Sequence, residues 1–319
     1  MRRLFSTPMI ALVAGLLLAP GSQAATSPKY KVAVGIGDQS PLIFASPQFK
    51  ALKVTKVRYF IPWDAAVKPQ ELARADAYVA AARKAKVRVL MHISTNDLRN
   101  KKGKLPSVKS YKREVGKLVK RFKVKGVKDW GVWNEANHKS QETWNNPRRA
   151  AQYFVAMRSM CSSCTFVALD ILDQPGATRY IDRWFAALGR SRRSKATVVG
   201  IHNYSDVNRY RSRGTSAIIK KVKTYNRRAD FWLTETGGVA SFGKSFPCNT
   251  TRQAKAVSYM FTLTKRYRRD ITRLYSYNFF GTTQQQCKAG SFDAGLVTAA
   301  GLPRKAYATF LSQARQFAR

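Results

Sequence analysis

Short apolar runs rich in β-branched residues recur eight times along this chain of 319 residues, and each is followed by a stretch that can form a helix. Runs of that length read as strands, and the longer stretches with a 3.6-residue period as amphipathic helices. The predicted strands cover 32–37, 54–61, 87–94, 127–133, 165–171, 197–203, 231–234 and 273–279. Helical patterns fall at 69–84, 108–122, 148–160, 177–188, 215–226, 250–267 and 304–317, with a shorter one near 46–52. Pro69 and Pro303 stand where a proline opens a helix. Alternating strand and helix calls for parallel pairing with crossover helices. Eight such units suit a closed (β/α)8 TIM barrel, a single α/β domain, better than an open doubly wound sheet. An open sheet would also favour a glycine-rich phosphate loop, and Val34-Gly35-Ile36-Gly37-Asp38 lacks the third glycine.

In a barrel, chemistry gathers where strands end. The predicted ends carry Asp38, then Trp63-Asp64 (after a second strand that itself bears Arg58), His92 and Asn96, Asn134-Glu135, Asp170 and Asp173, His202-Asn203-Tyr204, Glu235, and Tyr277-Asn278-Phe279. Two glutamate motifs stand out: Trp133-Asn134-Glu135-Ala136-Asn137 and Trp232-Leu233-Thr234-Glu235-Thr236-Gly237. Carboxylates brought together from two strand ends are the equipment of glycoside hydrolysis, one to protonate the leaving oxygen and one to attack or assist at the sugar carbon. No Walker-type loop, His-Glu-x-x-His or Gly-x-Ser-x-Gly motif is present, which argues against those classes, and neither a metal nor an organic cofactor is called for.

Composition changes this picture in two ways. Lys plus Arg number 58 and Asp plus Glu 17, a formal net charge of +41. Such a chain suits a polyanionic partner, an acidic polysaccharide among them, or simply has a basic surface. The run from Arg99 to Lys104 follows a strand, whereas Arg190 to Lys195 and Lys265 to Arg269 precede strands at the opposite pole, so the charge reads as general rather than aimed. No recognition helix carries it, and no specific nucleic acid is expected. Secondly, Arg2 and Arg3, an apolar core at 9–19 and Ser22-Gln23-Ala24 have the form of a signal peptide over 1–24, leaving 25–319 as the exported domain. The apolar core is too short to span a bilayer comfortably, and nothing later would hold the mature chain in a membrane. In an exported protein four cysteines suggest two disulfides, a local one between Cys161 and Cys164 and a long one between Cys248 and Cys287. A redox motif or half a zinc site is the alternative for Cys161-Ser162-Ser163-Cys164, without a second cysteine pair to support it.

At these residues the chain resembles the clan of retaining (β/α)8 glycoside hydrolases, most of all families 5 and 39. The resemblance implies that Asn134-Glu135 supplies the acid/base from the fourth strand and Glu235 the nucleophile from the seventh. His202-x-Tyr204 resembles the clan's His-x-Tyr, whose tyrosine hydrogen-bonds the nucleophile. Arg58 and His92 resemble the strand-two arginine and strand-three histidine of family 5. One departure is Tyr277-Asn278-Phe279-Phe280, where the clan usually places a Trp as sugar platform.

The residue types have their own chemical logic. Glu235 must be ionised to attack, with Arg58 and Tyr204 as its partners. Glu135 must start protonated, which calls for a pKa raised by partial burial and by Glu235. Asn134 can hydrogen-bond a sugar 2-hydroxyl. Trp63, Trp144, Phe242 and Phe246 are either sugar platforms or pins for long loops, and Asp38, Asp170 and Asp173 read as loop caps. The loops at 237–249 and 282–292 would wall a cleft, stapled together if Cys248 bonds Cys287. The sequence thus predicts a secreted, monomeric β-glycoside hydrolase acting on an oligo- or polysaccharide, an acidic one among the candidates, with endo action favoured. A carbohydrate- or polyanion-binding barrel without turnover is the alternative.

Overall fold

The structure, a computed structural model, describes residues 29–96 and 103–318. Eight strands form its centre: β1 (Tyr30–Gly37), β2 (Lys56–Pro62), β3 (Arg88–Ser94), β4 (Asp129–Gly131), β5 (Thr165–Leu172), β6 (Val198–His202), β7 (Asp230–Thr236) and β8 (Ile271–Tyr277). They pair in parallel in sequence order, and β8 returns to pair with β1 through Ala33–Arg273 to Gly37–Tyr277. This is the closed (β/α)8 barrel, one domain, that the alternating pattern predicts. Around it run α1 (Pro47–Leu52), α2 (Pro69–Lys84), α3 (Val108–Lys123), α4 (Pro147–Arg158), α5 (Ala177–Leu188), the short α6 (Tyr204–Asn208), α7 (Arg213–Tyr225), α8 (Thr250–Arg266) and α9 (Lys305–Ala314).

Local chemistry explains several boundaries. Pro69 opens α2, where a missing backbone N–H costs nothing. Ser107, Asn146 and Asn249 cap α3, α4 and α8 by accepting from the amides three residues on. Pro303 does not open α9. It pairs with Val297 across a bridge, and the helix starts two residues later at Lys305. Strand β4 is also shorter than its apolar run. A side chain at Gly131 would place its Cβ 2.0 Å from the His92 ring, so only glycine lets the β3 histidine lie inside the barrel there. Beyond Gly131 the chain leaves the regular ladder and turns through Asn134 and Glu135.

Alternation along the strands separates two environments. Val57, Tyr59 and Ile61 of β2, like Val89, Met91 and Ile93 of β3, join the helix-facing core, while Arg58 and His92 meet inside the barrel. At the amino-terminal end of the barrel Arg273 pairs with Asp129 at 2.6 Å and lies over the Trp232 ring at 3.8 Å.

Both expected disulfides are present, Cys161–Cys164 and Cys248–Cys287. The second joins the loop after β7 to the loop after β8, where Ser241–Gly243 and Gly290–Asp293 also form an antiparallel ribbon. Behind that ribbon Asp293 takes both guanidinium nitrogens of buried Arg304, at 2.7 and 2.8 Å. The segment read as a signal peptide, and Arg99 to Lys102 of the basic run, lie outside the described residues.

Removing one partner of a buried bidentate pair leaves the other charge uncompensated. Arg304→Ala should therefore lower unfolding free energy by about 3–5 kcal/mol, measured by denaturant titration.

Candidate active site

Glu235, near the end of β7, is held from two sides. Arg58 donates from Nη1 to its Oε2 at 2.7 Å, and the Tyr204 hydroxyl donates to its Oε1 at 3.0 Å. Tyr204 opens α6, just past β6, and still reaches Glu235 as expected of a His-x-Tyr pair. Arg58 is 1% exposed, so its donors need internal partners. Nη2 donates to the Asn134 side-chain oxygen and Nε to His92 Nδ1 at 3.2 Å. His92 must therefore accept at Nδ1, which demands a neutral ring with its proton on Nε2. Burial lowers its pKa to about 3, and the charge of Arg58 acts in the same sense.

His202 is equally buried and takes the opposite charge state. Its Nδ1 lies 3.0 Å from Glu135 Oε1 and 3.8 Å from Glu235 Oε2, and its Nε2 lies 2.8 Å from Asp170 Oδ2. Burial opposes a charge on the ring, but Asp170 and then Glu235 outweigh it and raise the pKa to about 10. The two glutamates thus flank one imidazole nitrogen, and both line the same cavity.

Asp170 is not the loop cap that the sequence suggests. It is fully buried, accepts from the Thr234 hydroxyl and from the Glu135 backbone N–H at 3.1 Å, and forms an ion pair with the cationic His202. Burial disfavours its charge, yet His202 and His92 hold the carboxyl far below the usual range. Space for it comes from Gly200 on β6, where a Cβ would lie 1.9 Å from Asp170 Oδ1. The sequence did carry a signal: an acid inside the apolar run Val167-Ala168-Leu169-Asp170-Ile171-Leu172 is buried and must find partners. Asp38 and Asp173 are caps as read. Asp38 accepts from the amides of Ser40, Phe279 and Phe280, and Asp173 from those of Ser205 and Asp206.

Glu135 departs from expectation in its ionisation. Burial raises its pKa, but the hydrogen bond and charge of His202, helped by His138 at 3.7 Å, bring the net shift below the ordinary value. Its backbone is left-handed at φ 41°, a strained conformation for a side-chain-bearing residue. The Asp170 carboxylate on its N–H holds that turn, and the next amide, of Ala136, donates to the Asp170 carbonyl at 2.9 Å.

Both glutamates open into a cleft of about 850 Å3. Tyr277, Phe60, Phe242, Phe246 and Phe292 line it, with the Phe292 ring 5.4 Å from Tyr204, 5.6 Å from Phe242 and 6.3 Å from Tyr277. The loops holding Cys248 and Cys287 therefore wall the cleft. Phe60 and Phe292 were missed in the sequence. Trp63 is a correction: it does not line the cleft but packs against the core. It is an odd number of positions from the inward-facing Arg58 and Phe60, so it falls on the outer side, with its backbone N–H donating to Ser94 O at 3.0 Å. Trp144 lies in an adjoining groove.

No family model matches the chain, and no curated protein matches it in sequence. Solved structures do. Xylanase XynB from Paenibacillus barcinonensis, complexed with a conduramine derivative, superposes with a TM-score of 0.66 at 14% identity over 89% of this chain and 96% of that one. A GH5_18 structure from Streptomyces cattleya in complex with GlcNAc gives 0.65 at 14%, covering 91% and 81%. One from Bifidobacterium longum subsp. infantis gives 0.66 at 12%, covering 90% and 79%. Likeness at such identity establishes the barrel fold shared with these proteins.

Two histidines of opposite charge make a sharp test. An imidazole 15N titration should find the His202 ring doubly protonated at about pH 8 and the His92 ring neutral at about pH 5. Asp170→Asn should lower the His202 pKa by about 1–3 units. Since the folded pKa of His202 lies above its unfolded value, its stabilisation is fully present below about pH 6.5 and is lost as pH rises toward about 10.

Proposed function

We propose that this chain is an exported glycoside hydrolase that cleaves an oligo- or polysaccharide by double displacement, with Glu235 as nucleophile and Glu135 as acid/base. One observation carries the assignment: the two carboxylates sit on either side of His202 Nδ1 and open into the same cleft. With Oε atoms at 3.0 and 3.8 Å from that nitrogen, they are less than roughly 7 Å apart. That limit covers the retaining separation of about 5–5.5 Å and touches only the lower edge of the inverting range, from about 6.5 Å. The two disulfides are consistent with export.

The paired state of Glu135 suggests where the catalytic proton waits. In the empty cleft it resides on His202, facing the Glu135 carboxylate. A sugar that displaces water makes the ion pair dearer than its neutral counterpart, so the Nδ1 proton passes to Glu135. His202 then keeps its remaining proton on Nε2, toward Asp170. Glu135 gives its proton to the leaving oxygen as Glu235 attacks the anomeric carbon and the glycosidic bond breaks. Glu135, now a carboxylate, takes a proton from water as the water oxygen attacks the same carbon and Glu235 departs. Arg58 and Tyr204 hold the nucleophile in line throughout, and Asn134, itself tied to Arg58, is placed for the sugar 2-hydroxyl.

Covalent labelling with fluorosugar probes of several configurations, read by mass spectrometry, should give a sugar adduct on Glu235. An adduct on another residue, or turnover with no adduct from any probe, would overturn the roles. Glu135→Gln should lower kcat by about 10²–10⁴-fold on substrates with a poor leaving group. Binding retained by both glutamine variants, with no product from wild type, would instead identify a binding barrel. Asp170→Asn should move the basic limb of the pH–rate profile to lower pH, because the proton on His202 is then less firmly held.

A further inference from the structure

The cleft does not stop at the catalytic glutamates. A groove of about 320 Å3 continues from it, sharing His138, Gln174, Pro175 and Gly176 as common wall. Its position is set by Glu135, because the chain from His138 to Trp144 runs directly onward from the acid/base turn. A group that receives a proton from Glu135 leaves on this side. Glu135 Oε2 lies 3.7 Å from Nδ1 of His138 in the shared wall, so with Glu135 as acid/base the groove falls on the leaving-group side of the site.

Its lining is one-sided in charge. Lys139, Arg179 and Arg183 line it, and no Asp or Glu among the described residues does. None of these three cations has an ion pair or side-chain hydrogen bond among the described residues, and all are exposed. Arg179 is the third residue of α5, where the helix dipole disfavours a cation, and Arg183 follows one turn later on the same face, where like charges repel. Neither placement helps the helix. Trp144, 43% exposed, stands in the same groove and offers an aromatic face. Nearer the glutamates, Arg209 and Arg213 line the cleft wall without acidic partners among the described residues, Arg209 lying over Phe246 at 5.0 Å.

Resting on the hydrolase assignment, we propose that the substrate is a polyanionic glycan, and that its acidic sugars bind in this groove on the leaving-group side of the scissile bond. Trp144 stacks on a sugar ring, and Lys139, Arg179 and Arg183 take its carboxylate or sulfate. A general positive surface would attract polyanions everywhere and equally. A groove free of carboxylates and adjoining the acid/base makes the attraction local.

The test compares two variants of equal net charge. One carries Lys139→Gln, Arg179→Gln and Arg183→Gln. The control carries Arg190→Gln, Arg192→Gln and Lys195→Gln, exposed positions at the opposite pole before β6. Both are made in the Glu235→Gln background and titrated calorimetrically with uronic-acid oligosaccharides, their carboxyl-reduced counterparts and sulfated oligosaccharides. The groove variant should lose about tenfold in affinity for an acidic series, with the control unchanged. Whether the uronate or the sulfate series responds identifies the acidic group. Equal loss in both variants, or wild-type binding that ignores carboxyl reduction and sulfation alike, would overturn the proposal. Turnover is read separately with the unmutated enzyme. Equal cleavage of native and carboxyl-reduced chains, without preference for sulfated ones, sinks the polyanion and leaves the hydrolase. Selective binding without cleavage sinks the hydrolase and leaves the ligand.

Discussion

The Asp170 carboxylate is the constraint on which the rest of the site depends. A buried anion is tolerated only when charge and hydrogen bonds answer it on every side. Here Thr234 answers from β7, His202 from β6 and the Glu135 amide from the turn after β4, with His92 of β3 at 3.7 Å. One side chain thus ties together four neighbouring strand ends. It also obliges His202 to carry a proton, and a charged His202 can sit between two glutamates that would otherwise repel each other. The Arg58 guanidinium complements it, fixing Glu235, Asn134 and His92 from the other side of the barrel.

The two histidines show how far neighbours outweigh residue type. His92 and His202 are both fully buried. His92 faces the donating edge of Arg58 and stays neutral, whereas His202 faces carboxylates and is charged. Burial drives both toward neutrality, so the difference lies in the charges around each ring. Glycines at 131 and 200 make room for this polar layer inside a barrel whose outer strand faces are apolar. The left-handed turn at Glu135 has the same origin: strain there is held in place by hydrogen bonds from β5.

Around that centre the cleft has two different halves. On one side the loops after β7 and β8 are stapled by Cys248–Cys287 and backed by the Asp293–Arg304 pair, and they present Phe242, Phe246 and Phe292 to the cleft. On the other, the segment after Glu135 and the start of α5 form a cationic groove with Trp144 at its surface. An apolar wall suits sugar faces, and a solvated, charged one suits acidic substituents.

Local sequence determined the barrel. Eight apolar runs, helical patterns such as 69–84 and 177–188, and the paired cysteines each express short-range periodicity or simple counting, and all reappear in the structure. Strand ends, together with the resemblance for Arg58 and His92, singled out Arg58, His92, Asn134, Glu135, His202, Tyr204 and Glu235, and the structure brings these side chains into one hydrogen-bonded cluster. What only tertiary structure decided is how those groups divide charge and space. Asp170 became a hub, Trp63 turned outward in favour of Phe60, and Glu135 rested as a paired carboxylate with a lowered pKa. Lys139, in the segment after Glu135, came to share one groove with Arg179 and Arg183 of α5. Each of these outcomes depends on distances between elements remote in sequence, and electrostatic energy follows distance and burial rather than position along the chain.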